Sequence, residues 1–303
     1  MQNKVYISVL LALSLVSGTS AATRIVLTND DGWAVAQLRA EYTALTAAGY
    51  SVLISAPAVN KSGSGSSSTT PKPLTTECQF GTCPKGSPAY GSDPSDSQIN
   101  YVNGYPVDAV KYGIQTLSPA IFGSVPDLVV SGTNIGNNLG SLTTKLSGTV
   151  GAACEATLEG IPSIAVSGSS GSAVSYTTLA NTSASSTKDA NIYSALVNKL
   201  VAQLLSNSGS ILPKGITLNV NFASTSSCPS ASSYKFVLTR ISSGIFATDV
   251  QTCGTSKLTS ESTAINKGCI VTVSVMDAST KGDVNAATQA LVLARLSPIL
   301  GCL

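Results

Sequence analysis

Apolar residues fall along this chain in short unbroken blocks, separated by turn-rich stretches of small polar residues. Arg24–Thr28, Ser51–Ala56, Ser124–Ser131 (apolar at Leu128-Val129-Val130) and Ser163–Ser167 have the length and continuity of strands buried on both faces of a parallel sheet. Helical stretches lie between them. Trp33–Ala48 is rich in Ala, Leu and Arg and stops at Gly49. A second helix opens at Gly104, where Pro106 suits the first turn and Asp108 complements the positive end of the dipole. Ser147-Gly-Thr149 opens a third, which runs to about Gly160. The alternation from 24 to 167 predicts an α/β fold with a doubly wound, mostly parallel sheet.

Beyond residue 168 the rhythm changes. A Ser/Thr/Ala loop (168–187) leads to an amphipathic helix at Ala190–Leu205. Strands follow at Ile216–Phe222, Tyr234–Ile241 and Ile270–Val275, then a closing helix at Ala286–Leu300. The expectation is a single domain over 23–303, with a core at about 24–168 and a β-rich, disulfide-tied C-terminal extension at about 169–303. Residues 57–100 are rich in Ser, Gly, Thr and Pro. A structureless stretch of that length is unusual inside a compact domain, so a functional loop or an irregular hairpin is expected there.

The first 22 residues are set apart by their composition: Lys4, an apolar run Val5–Val16, then small residues ending at Ala21-Ala22. This is the plan of a secretory signal peptide, too short to span a bilayer, and it predicts a secreted protein. An extracellular, cell-wall or vacuolar destination fits equally. Cleavage removes Lys4 and takes the formal charge from +2 to +1, which provides no electrostatic basis for binding a nucleic-acid duplex or a membrane surface. An exported chain with seven cysteines is expected to form disulfides. Cys78 and Cys83 can close a local loop, and Cys154, on a helix near the core, is the candidate for the unpaired one. Cys228, Cys253, Cys269 and Cys302 then pair among themselves in an order that sequence leaves open. Two glycosylation sequons occur, at Asn60 and Asn181. The chain has no histidine, which removes Ser-His-Asp catalysis, phosphohistidine chemistry and His-ligated metals. Its chemistry has to run on carboxylates, hydroxyls, amides and bound metal.

The strongest chemical signal is Asn29-Asp-Asp-Gly32, at the end of the first strand. Successive strand residues point to opposite faces, so Asp30 and Asp31 converge only if the chain turns, and Gly32 allows the turn. A helix cap is the simpler role for such residues. Three further stretches fall on the same carboxyl-terminal side of a parallel sheet: Ala56-Pro-Ala-Val-Asn-Lys-Ser-Gly63, Pro126-Asp-Leu-Val-Val-Ser-Gly-Thr-Asn134 and Ser147-Gly-Thr-Val-Gly-Ala152. Carboxylates with hydroxyl and amide oxygens suit a hard cation such as Mg²⁺ or Mn²⁺. A Ser/Thr turn entering a helix suits a phosphate.

In this order and spacing the four stretches resemble the SurE (survival protein E) family of metal-dependent phosphatases and nucleotidases. The likeness is strongest at Thr28–Gly32 and Pro126–Ser167, with fainter echoes at Leu218-Asn-Val-Asn221 and Leu238-Thr-Arg240. The secreted, Ser-rich form is similar to the family's fungal acid-phosphatase branch. The resemblance implies a divalent metal held by Asp30, Asp31, Ser62 and Asn134. It places Asn138, Ser147, Gly148 and Thr149 at the substrate phosphate, with Asp30 or Asp31 as proton acceptor. The implied substrate is a small phosphate monoester, nucleotide or other, and the oligomeric state stays open, a homo-oligomer included. Two departures stand out. Ile135 occupies the place where the family usually has an arginine, and Tyr105 replaces a threonine. Two rival readings are a non-catalytic extracellular binding protein on the same fold and a dinucleotide-binding oxidoreductase. Against the second, the first turn carries Asp-Asp where a glycine fingerprint would be required.

Overall fold

A computed structural model describes residues 22–244 and 246–303; the expected leader lies outside the described residues except for Ala22. The first half of the chain forms β1 (Arg24–Thr28), α1 (Ala36–Ala47), β2 (Ser51–Pro57), β3 (Tyr90–Asp93), β4 (Asp96–Val102), α2 (Pro106–Tyr112), α3 (Ser118–Phe122), β5 (Leu128–Ile135), α4 (Gly140–Leu146) and α5 (Gly148–Leu158). The second half forms β6 (Ser163–Gly168), α6 (Ser185–Leu205), β7 (Ile216–Phe222), β8 (Lys235–Thr239), α7 (Glu261–Ala264), β9 (Ile270–Asp277), β10 (Gly282–Asp283) and α8 (Ala286–Leu296).

Among the described residues ten strands make one sheet in the order β10-β9-β7-β6-β5-β1-β2-β4-β3, with β8 beside β9. β4, β2, β1, β5, β6 and β7 are mutually parallel, while β3 and β9 run against their neighbours β4 and β7. From β1 the chain winds one way to β2 and β4; from β5 it winds the other way to β6 and β7. The reversal opens a crevice at the carboxyl ends of β1 and β5.

Period-two alternation divides the parallel strands between two cores. Ile25, Leu27, Leu128 and Val130 join the larger core, which also holds side chains of α1, α6 and α8. Val26, Leu53 and Val129 point the other way, onto Val110 of α2 and Ala152 and Ala156 of α5. Helices therefore cover both faces, and this is why the strands read as unbroken apolar blocks.

The differences from the sequence expectation are local. The first helix begins at Ala36, not Trp33. Trp33 is buried edge-on against Tyr101 with ring centroids 5.1 Å apart, and Val35 is extended and bridged to Ser175. The 57–100 stretch does contain a hairpin, β3–β4, but β4 also joins the main sheet parallel to β2. The glycine-rich loop is shorter than expected, because β5 continues to Ile135 and α4 begins at Gly140. The C-terminal strands extend the same sheet, and α6 lies along α1. Disulfides join Cys78 to Cys83, Cys228 to Cys269 and Cys253 to Cys302, leaving Cys154 free and buried.

Candidate active site

At the end of β1 the turn is held by a side chain of its own. Asn29 accepts from the Gly32 N–H and donates to the Gly32 carbonyl, both at 3.1 Å, a closed Asx turn that reverses the chain. Successive aspartates leave that turn in different directions. Asp30 turns toward the start of α5, where Oδ1 accepts from the Thr149 hydroxyl at 2.7 Å and Oδ2 from the Thr149 N–H at 3.2 Å. Asp31 turns toward the end of β5, where Oδ2 accepts from the Ile135 N–H at 2.8 Å.

Both carboxylates are almost wholly buried, at 2% and 3% exposure, and neither has a cationic partner among the described residues. Burial pushes Asp30 above the usual carboxylate range, against the pull of its Thr149 and Gly148 donors. Asp31 is pushed up to about 7, first by burial and then by the neighbouring Asp30. Two adjacent carboxylates held this way favour a strong positive charge beside them.

Asp30, Ser62, Asn134, Ile135, Asn138 and Ser147 line one open cleft of about 270 Å³. Asp31 stands behind it, linked through the Ile135 backbone. Ser62 is exposed on the loop after β2, which the Lys61 N–H ties to the Asp30 carbonyl at 2.7 Å. Asn134 donates its amide to the Gly136 carbonyl, and no donor among the described residues reaches its Oδ1. Asp30, Asp31, Ser62 and Asn134 thus offer only oxygen, and the set fits a hard divalent cation. No group of three or more His, Cys, Asp or Glu gathers anywhere among the described residues, so the hydroxyl and amide oxygens are essential to this donor set.

Ser147 is the N-cap of α5, its Oγ accepting from the Val150 N–H at 3.1 Å. Gly148 lies hard against the turn: a Cβ there would come within 2.9 Å of the Asp30 Cβ and 2.7 Å of the Ser64 Oγ. Thr149 differs from the role the resemblance assigned. It is wholly buried, and its hydroxyl and N–H are both engaged by Asp30. Asn138 is held from three sides. Its N–H donates to Asn221 Oδ1 and its side-chain amide to Ser167 Oγ, both at 2.8 Å, while its carbonyl accepts from Asn219 at 2.8 Å.

Two buried carboxylates escaped the sequence reading. Glu261 accepts from the Gly140 N–H (2.7 Å), Ser274 Oγ (2.8 Å) and the Asn219 amide (3.0 Å), tying the C-terminal segment to the loop that carries Asn138. Glu41 accepts from Thr133 Oγ1 at 2.8 Å, one residue before Asn134. Burial pushes each up to about 7. The one available signal was the polar alternation in Leu218-Asn-Val-Asn221, since a buried strand carries asparagines only where they have partners.

Comparison with known proteins finds relatives of this chain. The family model of survival protein SurE matches residues 25–248. An acid phosphatase from Yarrowia lipolytica is 41% identical over 214 residues, which cover 69% of this chain and 59% of that protein. A 5'-nucleotidase SurE from Methanocella arvoryzae is 38% identical over 199 residues, covering 65% of this chain and 66% of its own length. The chain therefore spans about half to two thirds of the length of the relatives it matches. The crystal structure of the SurE protein from Aquifex aeolicus superposes with a TM-score of 0.59 at 22% identity, covering 89% of this chain and 98% of that one, a likeness of fold.

Proposed function

The chain belongs to the survival protein SurE family, and from that premise we propose that it is a secreted, divalent-metal-dependent phosphomonoesterase of the acid phosphatase or nucleotidase type. The observation that carries this reading is the pair of buried, cation-free carboxylates at the switch point of the sheet, Asp30 lining and Asp31 standing behind a cleft that also holds Ser62, Asn134 and the Ser147 end of a helix. The names of the relatives, acid phosphatase and 5'-nucleotidase, support the same class of reaction. Pairing of six of the seven cysteines supports an exported protein.

Asp30, Asp31, Ser62 and Asn134 are the residues that would hold Mg²⁺ or Mn²⁺. When bound, such an ion neutralises phosphate charge and lowers the pKa of a water. The remaining work belongs to the chain. Ser147, at the N-cap of α5, faces the phosphate oxygens with its hydroxyl, the first N–H groups of the helix being taken up by Asp30 and by Ser147 itself, and Asn138, locked by Asn219 and Asn221, closes the opposite side. Asp30 lines the cleft and accepts the water's proton at Oδ2, whose contact with the Thr149 N–H is the longer of its two. Thr149 positions that carboxylate and does not touch the phosphate. Asp31 contributes the second charge from behind, and its link to the Ile135 N–H fixes the end of β5.

The test is release of inorganic phosphate from simple phosphate monoesters by the purified mature protein, with Mg²⁺ or Mn²⁺ and again with excess chelator. Release that the chelator abolishes and the metal restores supports the reading. A protein that binds phosphate esters without turnover would instead be the non-catalytic binding protein.

A further inference from the structure

A second cavity adjoins the cleft at the same end of the sheet. It has a volume of about 380 Å³, within the usual range for small-molecule sites, and shares Asn137 with the cleft as a common wall. Its walls are the segments following β6 and β7 and the segment leading into β9: Ser169, Ser224, Ser227 and Asn266, over Ile265. Among the described residues no charged and no aromatic side chain lines it.

The polar groups there have capacity to spare. The Asn137 amide donates to Ser169 Oγ at 2.5 Å, while its Oδ1 is buried and has no donor among the described residues. Asn266 donates its amide to the Ser262 carbonyl, leaving its carbonyl oxygen available. Two walls are fixed covalently, since the Cys228–Cys269 disulfide joins the segment after β7 to the one before β9. The space is therefore a pre-formed pocket and not a gap between mobile loops.

We infer that this second cavity is the leaving-group subsite of the phosphatase centre and takes an uncharged, hydroxyl-rich, non-aromatic alcohol, so that the favoured substrates are sugar or polyol monophosphates. The inference rests on the phosphatase reading and specifies its substrate class. Hydroxyls of the alcohol meet unpaired amide and hydroxyl oxygens, which a purely aliphatic chain would leave unsatisfied. A purine or pyrimidine finds no side chain to stack on. A second phosphate or a carboxylate finds no cation.

The experiment compares sorbitol 6-phosphate with n-hexyl phosphate. Both release a six-carbon primary alcohol; the inductive effect of its hydroxyls makes the hexitol a somewhat better leaving group in any enzyme, so the share of its advantage that belongs to the cavity is the share that variants of the cavity wall remove. The expected result is a kcat/KM at least tenfold higher for the hexitol ester, with AMP no better than ribose 5-phosphate. In Ser227→Leu, and independently in Asn266→Leu, the hexitol-to-hexyl ratio should fall at least fivefold. Equal kcat/KM for the two esters, a tenfold preference for AMP, or a ratio unchanged in both variants overturns the subsite while leaving the phosphatase reading intact. Release of phosphate from none of these esters in the presence of Mg²⁺ or Mn²⁺ overturns both.

Discussion

At the scale of single residues, Asp30 and Asp31 are neighbours in sequence with different surroundings, and that difference sets what each substitution does. Asp30→Asn and Asp31→Asn should each abolish chelator-sensitive phosphate release in a folded protein. The two separate in metal-free stability. Asp31 is held charged against burial and against Asp30, with a single internal donor. Its neutralisation should therefore raise the metal-free Tm at pH 8, by an amount worth on the order of a few kcal/mol at most, and remove the further rise that Mg²⁺ gives. A Tm for Asp31→Asn below wild type would mean that hydrogen bonding to the charged form outweighs its burial. Ile135 gives a second test, because its side chain is half-buried at the cleft wall while its N–H serves Asp31. Ile135→Arg keeps the backbone bond and adds a cation beside the phosphate. Inhibition by inorganic phosphate should tighten several-fold or more, corresponding to about 1–3 kcal/mol for a charge-assisted contact, with little change in Tm. A large fall in Tm without tighter inhibition would show that the apolar side chain is part of the packing.

At the scale of elements, the site depends on one close crossing. The loop after β2, which carries Ser62, passes over α5 with the Gly65 N–H donating to the Leu146 carbonyl at 2.8 Å. A Cβ at Gly151 would stand 2.0 Å from the Gly65 carbonyl oxygen, so Gly151→Ala has to push loop and helix apart. Overpacking of this kind costs about 1–3 kcal/mol. The specific expectation is a several-fold higher Mg²⁺ concentration for half-maximal activity, beyond any loss of Tm, because Ser62 moves away from Asp30. An unchanged metal requirement would show that Ser62 is not a ligand. How legible this was depends on the range over which each residue is determined. The strand–turn–helix run around Asp30 could be read directly, since two adjacent carboxylates after an apolar block require a turn. β4 could not, because Asp96-Ser-Gln-Ile-Asn begins polar and its strand character comes from pairing with β2, about forty residues back in the chain. α4 was equally hidden in a glycine-rich context. Thr149 was legible as part of a helix start but not as the partner of Asp30, 119 residues away. Glu41 and Glu261 look like surface residues of short helices, and only tertiary contacts with Thr133 and with Asn219 and Ser274 reveal them as buried.

At the scale of the whole molecule, four buried carboxylates share one sign of perturbation, and stability should follow it. Glu41 is wholly buried, with the Thr133 hydroxyl on one oxygen and no donor on the other among the described residues, and burial pushes its pKa up to about 7, as it does that of Glu261. In the unfolded chain both titrate near 4.5. Between those limits the folded protein holds protons that the unfolded chain has released, so this contribution is fully present below about pH 4.5 and is lost as pH rises through about 7. Each group accounts for on the order of 3 kcal/mol at the extremes. Asp30 and Asp31 act in the same direction without metal, while a bound divalent cation favours their charged forms and opposes the trend for those two alone. The metal-free Tm should therefore fall steadily from pH 4.5 to 7.5 and level off above. Glu41→Gln should make the fall shallower without touching the cleft. Added Mg²⁺ or Mn²⁺ should raise the Tm strongly at pH 7.5 and weakly at pH 4.5, where protons compete for the same two aspartates. A Tm that climbed with pH in the metal-free protein would mean that the buried glutamates are ionised in the fold, with their hydrogen-bond donors outweighing burial. Glu261, which has three donors to Glu41's one, is where that reversal would begin, and Glu261→Gln beside Glu41→Gln would locate it.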